Sequence, residues 1–346
     1  MEKILNINIE NCKPLLSPET LKQEISVSNE AYNTVIDGRK TIQDIMEKSD
    51  NRLMAIVGPC SVHDYDSAID YAKQLYSLKE RFNDKIYIIM RVYFEKPRTT
   101  VGWKGMTLDP HMDGSSDIEE GLRRGRKLLA EINSIGLPCA TEALDPIVPQ
   151  YTSDLISWSA IGARTTESQT HREMSSGLSM PVGFKNGTDG SIKTAIDALI
   201  ASRHSHTFIG IDQDGQTSIL KTKGNKYGHI ILRGGRDGSN YDEKSISECE
   251  ELLDKFNLEK NIIVDCSHAN SDKDYRKQGN VINSIILQKQ NGNNSIIGFM
   301  LESNINAGNQ SIPTDLKELK YGVSVTDQCI DIKETERLLE LVYNSI

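Results

Sequence analysis

The sequence predicts an α/β protein: a closed (β/α)8 TIM barrel with an N-terminal arm and an inserted β-hairpin. Three observations lead there. Short apolar runs recur about eight times with amphipathic segments between them, the number of strands a closed barrel needs. Most of the runs end on a charged or metal-ligating residue, as barrel strands do where they reach a catalytic mouth. One stretch of apolar–polar alternation around Asp214-Gly215 interrupts the series.

Taken in order, residues 1–45 form the arm. They are polar and hold no buried-strand run, and Ser17-Pro18-Glu19-Thr20 reads as a helix start with proline just inside. The arm is expected outside the barrel, serving assembly or regulation or forming a loosely docked tail. The barrel is expected over 46–346. Its strands fall at 53–57, 86–91, 137–141, 156–161, 182–185, 229–232, 262–265 and 296–301, where unbroken apolar runs fit strands buried on both faces. Helical spacing marks 67–82, 117–135 and 331–346, for example Ala68, Ala72, Leu75 and Leu78. These stripes are core packing. The loop 103–116 is long, and long loops at a barrel mouth are often functional. The hairpin occupies 207–222, between the fifth and sixth barrel strands. It is surplus to the barrel and reads as a device for assembly or regulation, or as a decorative excursion.

A chain of 346 residues holds either two domains or one extended barrel. The net charge of −9 argues against nucleic-acid partners and anionic membrane surfaces. The six cysteines, Cys12, Cys60, Cys139, Cys249, Cys266 and Cys329, show no disulfide-like spacing and read as reduced thiols of a cytoplasmic protein. The opening Met1-Glu2-Lys3-Ile4 lacks a signal-peptide core, and no run approaches membrane-spanning length.

The chemistry gathers at the strand ends. Cys60, His268, Glu302 and Asp327 each lie at or just beyond one, or in the loop after the last strand. One sulfur, one imidazole and two carboxylates suit a single divalent ion: Mn, Fe, Co, Zn or Cu. Each taken alone is more often structural; together they favour a metal. A second set is cationic: Arg91, Lys96, Arg98, Arg164, Lys185, Arg233 and Arg236. Charges in barrel strands are costly unless they meet an opposite charge. Salt bridges to Glu142, Glu95 and Asp109 account for some of them. The rest imply a substrate with several negative charges, or two anionic substrates. Lys185 has a rival use as a Schiff-base lysine, but the polar Asn186-Gly187-Thr188-Asp189-Gly190 beside it favours anion binding. Gly234-Gly235 allows backbone amides to approach a ligand, a weak signal by itself. No Walker loop or dinucleotide fingerprint is present.

Longer strings carry a resemblance. They include Gly58-Pro59-Cys60-Ser61, Arg91-Val92-Tyr93-Phe94-Glu95-Lys96-Pro97-Arg98-Thr99 and Gly162-Ala163-Arg164-Thr165-Thr166-Glu167-Ser168-Gln169. Others are Gly183-Phe184-Lys185-Asn186-Gly187-Thr188-Asp189-Gly190, Asp265-Cys266-Ser267-His268-Ala269-Asn270 and Gly322-Val323-Ser324-Val325-Thr326-Asp327. With these the chain resembles the class I, feedback-regulated 3-deoxy-D-arabino-heptulosonate 7-phosphate (DAHP) synthases over nearly its whole length. The resemblance implies condensation of phosphoenolpyruvate and D-erythrose 4-phosphate with water, the opening step of the shikimate pathway. It implies metal ligation by Cys60, His268, Glu302 and Asp327. It places Arg91, Lys96, Arg164, Lys185 and Arg233 on phosphoenolpyruvate, and Arg98 and Thr99 on erythrose 4-phosphate. Lys96, or Glu142 through a water, is the candidate for proton transfer.

The same resemblance implies an aromatic amino-acid effector. Its pocket would be walled by Pro146, Gln150, Met174, Leu178, Ser179, Phe208 and Leu220, with the arm supplied by a neighbouring subunit of a homodimer or homotetramer. For Leu178 and Phe208 taken singly, ordinary packing is the better reading. The strings 141–146, 149–151 and 177–181 look closest to the tyrosine-sensitive form. Cys60 and Cys329 are expected near the metal, where oxidation would join them. The rival readings are a related synthase using arabinose 5-phosphate, a Schiff-base aldolase, and a non-catalytic aromatic amino-acid sensor.

Overall fold

The computed structural model describes residues 4–98 and 100–346. Among these residues, ten strands and ten α-helices run in order: α1 (Pro18–Glu24), α2 (Asn29–Met46), β1 (Leu53–Gly58), α3 (Tyr65–Phe82), β2 (Ile86–Arg91), α4 (Ile118–Ser134) and β3 (Cys139–Glu142). Next come α5 (Pro149–Thr152), β4 (Trp158–Ile161), α6 (Gln169–Ser175), β5 (Val182–Lys185), α7 (Ile192–Arg203), β6 (Thr207–Ile211) and β7 (Thr217–Lys221). The chain closes with β8 (Gly228–Leu232), α8 (Glu243–Lys255), β9 (Ile262–Asp265), α9 (Gln278–Gln290), β10 (Ile296–Glu302) and α10 (Ile332–Ser345).

Eight strands close into a barrel in the order β1-β10-β9-β8-β5-β4-β3-β2, all parallel. The sequence places each of them to within two residues at either end. The expected strand at 137–141 starts later because Pro138 has no N–H to give to a ladder. The expected strand at 156–161 starts later because a 3-10 turn over Ser153–Leu155 holds Ile156. Helix starts follow their caps: Ser17, Asp64, Asp117 and Asp331 each accept a backbone N–H from the first turn of α1, α3, α4 and α10.

Strand alternation decides where the chemistry points. Met54 and Ile56, Tyr87 and Ile89, Trp158 and Ala160, and Ile231 belong to one buried cluster that fills the barrel. Leu53, Ala55, Val57, Ile88 and Met90 belong to the other, beneath the helices. Two residues beyond an inward side chain is again inward. Arg91 follows Ile89, Glu142 follows Ala140, Arg233 follows Ile231, Asp265 follows Ile263 and Glu302 follows Met300. Gly183 makes room for the plug: a Cβ there would lie 2.8 Å from Trp158 Cζ2 and 2.9 Å from His229 Nε2.

The first 45 residues differ from an arm outside the fold. The expected boundary falls inside α2, whose Ile42, Ile45 and Met46 join the barrel-filling cluster with Met54 and Tyr87. That helix packs along α4 and turns its last apolar residues onto the barrel floor. Residues 4–16 form no helix or strand, and Ile4, Leu5, Ile7 and Ile9 are exposed. The inserted hairpin is β6 and β7, paired with Phe208 opposite Leu220. In one chain α1 reaches it: Gln213 O accepts the Glu19 N–H at 2.9 Å, and Gln213 Nε2 donates to Gln150 Oε1 at 3.0 Å. No helix among the described residues is long and apolar enough to cross a membrane.

Candidate active site

A cavity of about 400 Å³ opens at the C-terminal ends of the barrel strands. Lys96, Arg98, Glu142, Arg164, Lys185, Arg233, His268, Glu302 and Asp327 line it. Residues spread over more than two hundred positions therefore meet at one rim. Cys60 and Arg91 lie beneath that lining, fully buried or nearly so.

One end of the cavity gathers possible metal ligands. Ligand atoms of Cys60, Glu302 and Asp327 all lie within 4.8 Å of one another. His268 Nε2 stands 3.8 Å from Glu302 Oε1, at the edge of the same cluster. One thiol and two carboxylates at this spacing, with an imidazole beside them, are donors of the kind that suit a borderline divalent ion. The turn that carries His268 is strained. His268 sits at φ 57°, Asp272 at 53° and Lys273 at 61°, in a region costly for residues with a Cβ. Burial pushes the Cys60 thiol up to about 11, further raised by Glu302 and partly offset by Lys96. Lys96 Nζ donates to Cys60 Sγ at 3.1 Å and to Cys60 O at 3.3 Å. Burial works against the Lys96 charge, but Cys60, Glu302, Asp327 and Glu142 hold its pKa above the ordinary lysine value.

The cations divide into two kinds. Arg91 Nη2 pairs with Glu302 Oε1 at 3.1 Å, and its guanidinium lies 4.1 Å from the centre of the Tyr93 ring. Lys185 Nζ pairs with Asp265 Oδ2 at 3.2 Å. The acids that neutralise barrel cations are thus Glu302 and Asp265, which corrects the expected pairing with Glu142, Glu95 and Asp109. Among the described residues, Lys96, Arg98, Arg164 and Arg233 meet no carboxylate within 4.0 Å. Burial pulls the Arg233 guanidinium below its ordinary value; Asp265 offsets this and Arg164 adds to it. Guanidiniums and a lysine without carboxylate partners at one cavity wall are groups of the kind that suit an anion. Arg98 Nε donates to Trp103 O at 2.8 Å, fixing that side chain on the rim. Thr99 lies outside the described residues.

Glu142 is buried at the cavity wall, and its Oε1 has no hydrogen-bond partner. Gly162 leaves it space, since a Cβ there would lie 2.3 Å from Oε1. Two acids were missed by sequence reasoning. Glu95, read as an ion-pair partner, is pushed up to about 8 by burial and then by Asp145, with Glu142 adding to this. Asp265, read only as part of a string, is fully buried under the cavity. Its inward place two residues beyond Ile263 was the available signal.

The expected effector residues lie before and on α5, on α6, in the turn after it and on the hairpin. Leu178 lines a second, smaller cavity together with Glu95, Glu142, Val148, Pro149 and Met180. Phe208 and Leu220 are cross-strand partners on the hairpin, and Gln150 receives the Gln213 bond. Met174 is buried in the core beneath the helices, and Pro146 and Ser179 are exposed. The hairpin is tied to the end of α6 by Ser176 Oγ and Thr222 Oγ1, 2.7 Å apart. Six free cysteines are present, five of them buried.

Comparisons with known proteins agree with this geometry. The sequence model described as the DAHP synthetase I family matches residues 24–340. The chain is 53% identical over 341 residues to the Tyr-sensitive phospho-2-dehydro-3-deoxyheptonate aldolase of Escherichia coli K12, covering 99% of this chain and 96% of that one. It is 49% identical to the Phe-sensitive enzyme of the same organism, covering 99% and 97%. A solved phospho-2-dehydro-3-deoxyheptonate aldolase from Francisella tularensis SCHU S4 superposes with a TM-score of 0.96 at 47% identity, covering 98% of each chain. A barrel of this order, a rim of this chemistry and a match over most of the sequence lead to one conclusion: the chain belongs to the DAHP synthetase I family.

Proposed function

We propose that this chain joins phosphoenolpyruvate to D-erythrose 4-phosphate and water, giving 3-deoxy-D-arabino-heptulosonate 7-phosphate and phosphate. One observation carries the reading: cations without carboxylate partners line a cavity that ends on a Cys60, His268, Glu302 and Asp327 cluster. Arg164, Arg233 and Lys185 bind the phosphate and carboxylate of phosphoenolpyruvate, with Arg91 beneath and Lys96 beside them. Arg98 and Thr99 bind the aldose phosphate. Cys60, His268, Glu302 and Asp327 would hold one divalent ion (Mn, Fe, Co, Zn or Cu), which would supply Lewis-acid polarisation of an aldehyde oxygen when bound.

In the reaction the methylene carbon of phosphoenolpyruvate bonds to the aldehyde carbon. Water adds to the adjacent carbon, and phosphate leaves with cleavage of its carbon–oxygen bond. Lys96, charged and held against Cys60, delivers a proton to the former aldehyde oxygen. Glu142, with one oxygen unpartnered at the cavity wall, takes a proton from the water. The test is phosphate release with both substrates, before and after chelation of metal. Activity is expected to vanish on chelation and return with Mn2+. Turnover with arabinose 5-phosphate in place of erythrose 4-phosphate, or full activity without metal, would reject the reading.

Tyrosine is the proposed inhibitor, acting at a pocket walled by Pro146, Gln150, Met174, Leu178, Ser179, Phe208 and Leu220. The hairpin contact with Gln150 and the likeness to relatives named Tyr-sensitive support it. Inhibition curves should show tyrosine acting at lower concentration than phenylalanine; insensitivity to both would discard it. The exposed Ile209 and Ile219, cross-strand partners on the hairpin, and the exposed arm isoleucines support a homodimer or homotetramer, in which arm and hairpin of neighbouring subunits meet. The buried free thiols support a cytoplasmic setting.

A further inference from the structure

We infer that Asp265 is a shared positioning residue, one buried carboxylate that orients both a metal ligand and a phosphoenolpyruvate-binding cation. The inference rests on the roles proposed above for His268 and Lys185. Asp265 ends β9 and is fully buried. Its Oδ2 stands 2.9 Å from His268 Nδ1 and 3.2 Å from Lys185 Nζ. Oδ2 makes no other hydrogen bond, so these two side chains are its polar neighbours. Its other oxygen is fixed: Oδ1 accepts the Ser267 N–H at 3.1 Å and the Ser267 hydroxyl at 2.7 Å.

This arrangement decides a tautomer. Ser267 Oγ gives its proton to Asp265, so its lone pair faces His268 Nδ1 at 2.8 Å. A carboxylate and an accepting hydroxyl on the same nitrogen place the imidazole proton on Nδ1. That leaves the Nε2 lone pair turned toward Glu302 and the ligand cluster. The same Oδ2 gives the Lys185 ammonium an opposite charge in a site where that side chain is only 5% exposed. The sequence separation hides the link: Lys185 comes from β5 and His268 from the turn after β9. Metal site and phosphoenolpyruvate site therefore share one anchor, and a change there moves both affinities.

The test uses the full chain stripped of metal. Mn2+ affinity is read by electron paramagnetic resonance, phosphoenolpyruvate affinity by calorimetry without metal, and folding by circular dichroism. Asp265→Asn is expected to weaken Mn2+ about 10- to 100-fold and phosphoenolpyruvate at least about tenfold. Lys185→Gln is expected to weaken phosphoenolpyruvate alone. The double variant should bind Mn2+ like Asp265→Asn and phosphoenolpyruvate no worse than Lys185→Gln. Should Asp265→Asn fail to fold, the double variant carries the Mn2+ comparison, because it leaves no unpaired buried charge. Unchanged affinity for either ligand in Asp265→Asn, or additive losses of phosphoenolpyruvate affinity in the double variant, overturns the inference. Wild-type protein that bound neither Mn2+ nor phosphoenolpyruvate would instead remove the functional reading beneath it.

Discussion

Replacing Arg91 with methionine tests whether the barrel centre is held by opposite charges. Arg91 and Glu302 are 1% and 2% exposed and meet at 3.1 Å. Removing one member leaves the other charge buried and uncompensated, which costs about 3–5 kcal/mol. For 346 residues, an unfolding entropy of about 2.1 cal/mol/K per residue converts this to a fall of roughly 4–7 °C in Tm. The double variant, Arg91→Met with Glu302→Gln, removes both charges and should recover to within about 2 °C of wild type, since neutral replacement of a buried pair is often harmless. The assay is scanning calorimetry on metal-stripped protein, so that no ion can neutralise Glu302. A double variant as unstable as Arg91→Met would refute the argument: the loss would then come from packing against Tyr93, not from the stranded carboxylate. An unchanged Tm in Arg91→Met would show that Glu302 is not buried beside it.

Two further perturbations follow from the same site and from the barrel plug. Gly162→Ala places a Cβ 2.3 Å from the present position of Glu142 Oε1 and displaces that carboxylate. Its kcat should fall by up to about 100-fold with little change in Tm; an unaltered kcat would remove Glu142 from the proton-transfer scheme. His229 accepts the Trp158 Nε1–H bond at 3.0 Å, and burial pulls its pKa down to about 3. The unfolded chain binds a proton below about pH 6.5 and the fold does not, so stability declines as pH falls from there toward 3, by about 1.4 kcal/mol per pH unit. His229→Gln keeps an acceptor for Trp158 and should flatten urea-measured stability over that window by about one proton; an identical slope would show that His229 titrates freely.

Much of the fold was legible because its signals are local. Unbroken apolar runs give eight strands, caps such as Asp64 and Asp331 give helix starts, and Asp214-Gly215 gives the hairpin turn. The strand-end residues were legible too, since period-two alternation aims them inward once the barrel is granted. The place of α2 was not legible because its stripe is sparse: Ile42 and Ile45 join Met54, Tyr87 and Trp158 in one buried cluster only once the barrel has closed. Glu95 escaped for a similar reason. A glutamate in a basic string looks like a counter-ion, and only burial beside Asp145 and Glu142 makes it a carboxyl near pKa 8.

By itself, then, the sequence determined the barrel, the places of its strands and the kinds of side chain at its mouth, because periodicity and turn chemistry act over a few residues. Only the tertiary structure decided which charges neutralise one another. Arg91 takes Glu302, and Lys185 shares Asp265 with His268, while Arg164 and Arg233 are left facing the cavity. Ion pairing depends on separations of a few ångströms between strands distant in the chain, and that distance exists only once the barrel has closed.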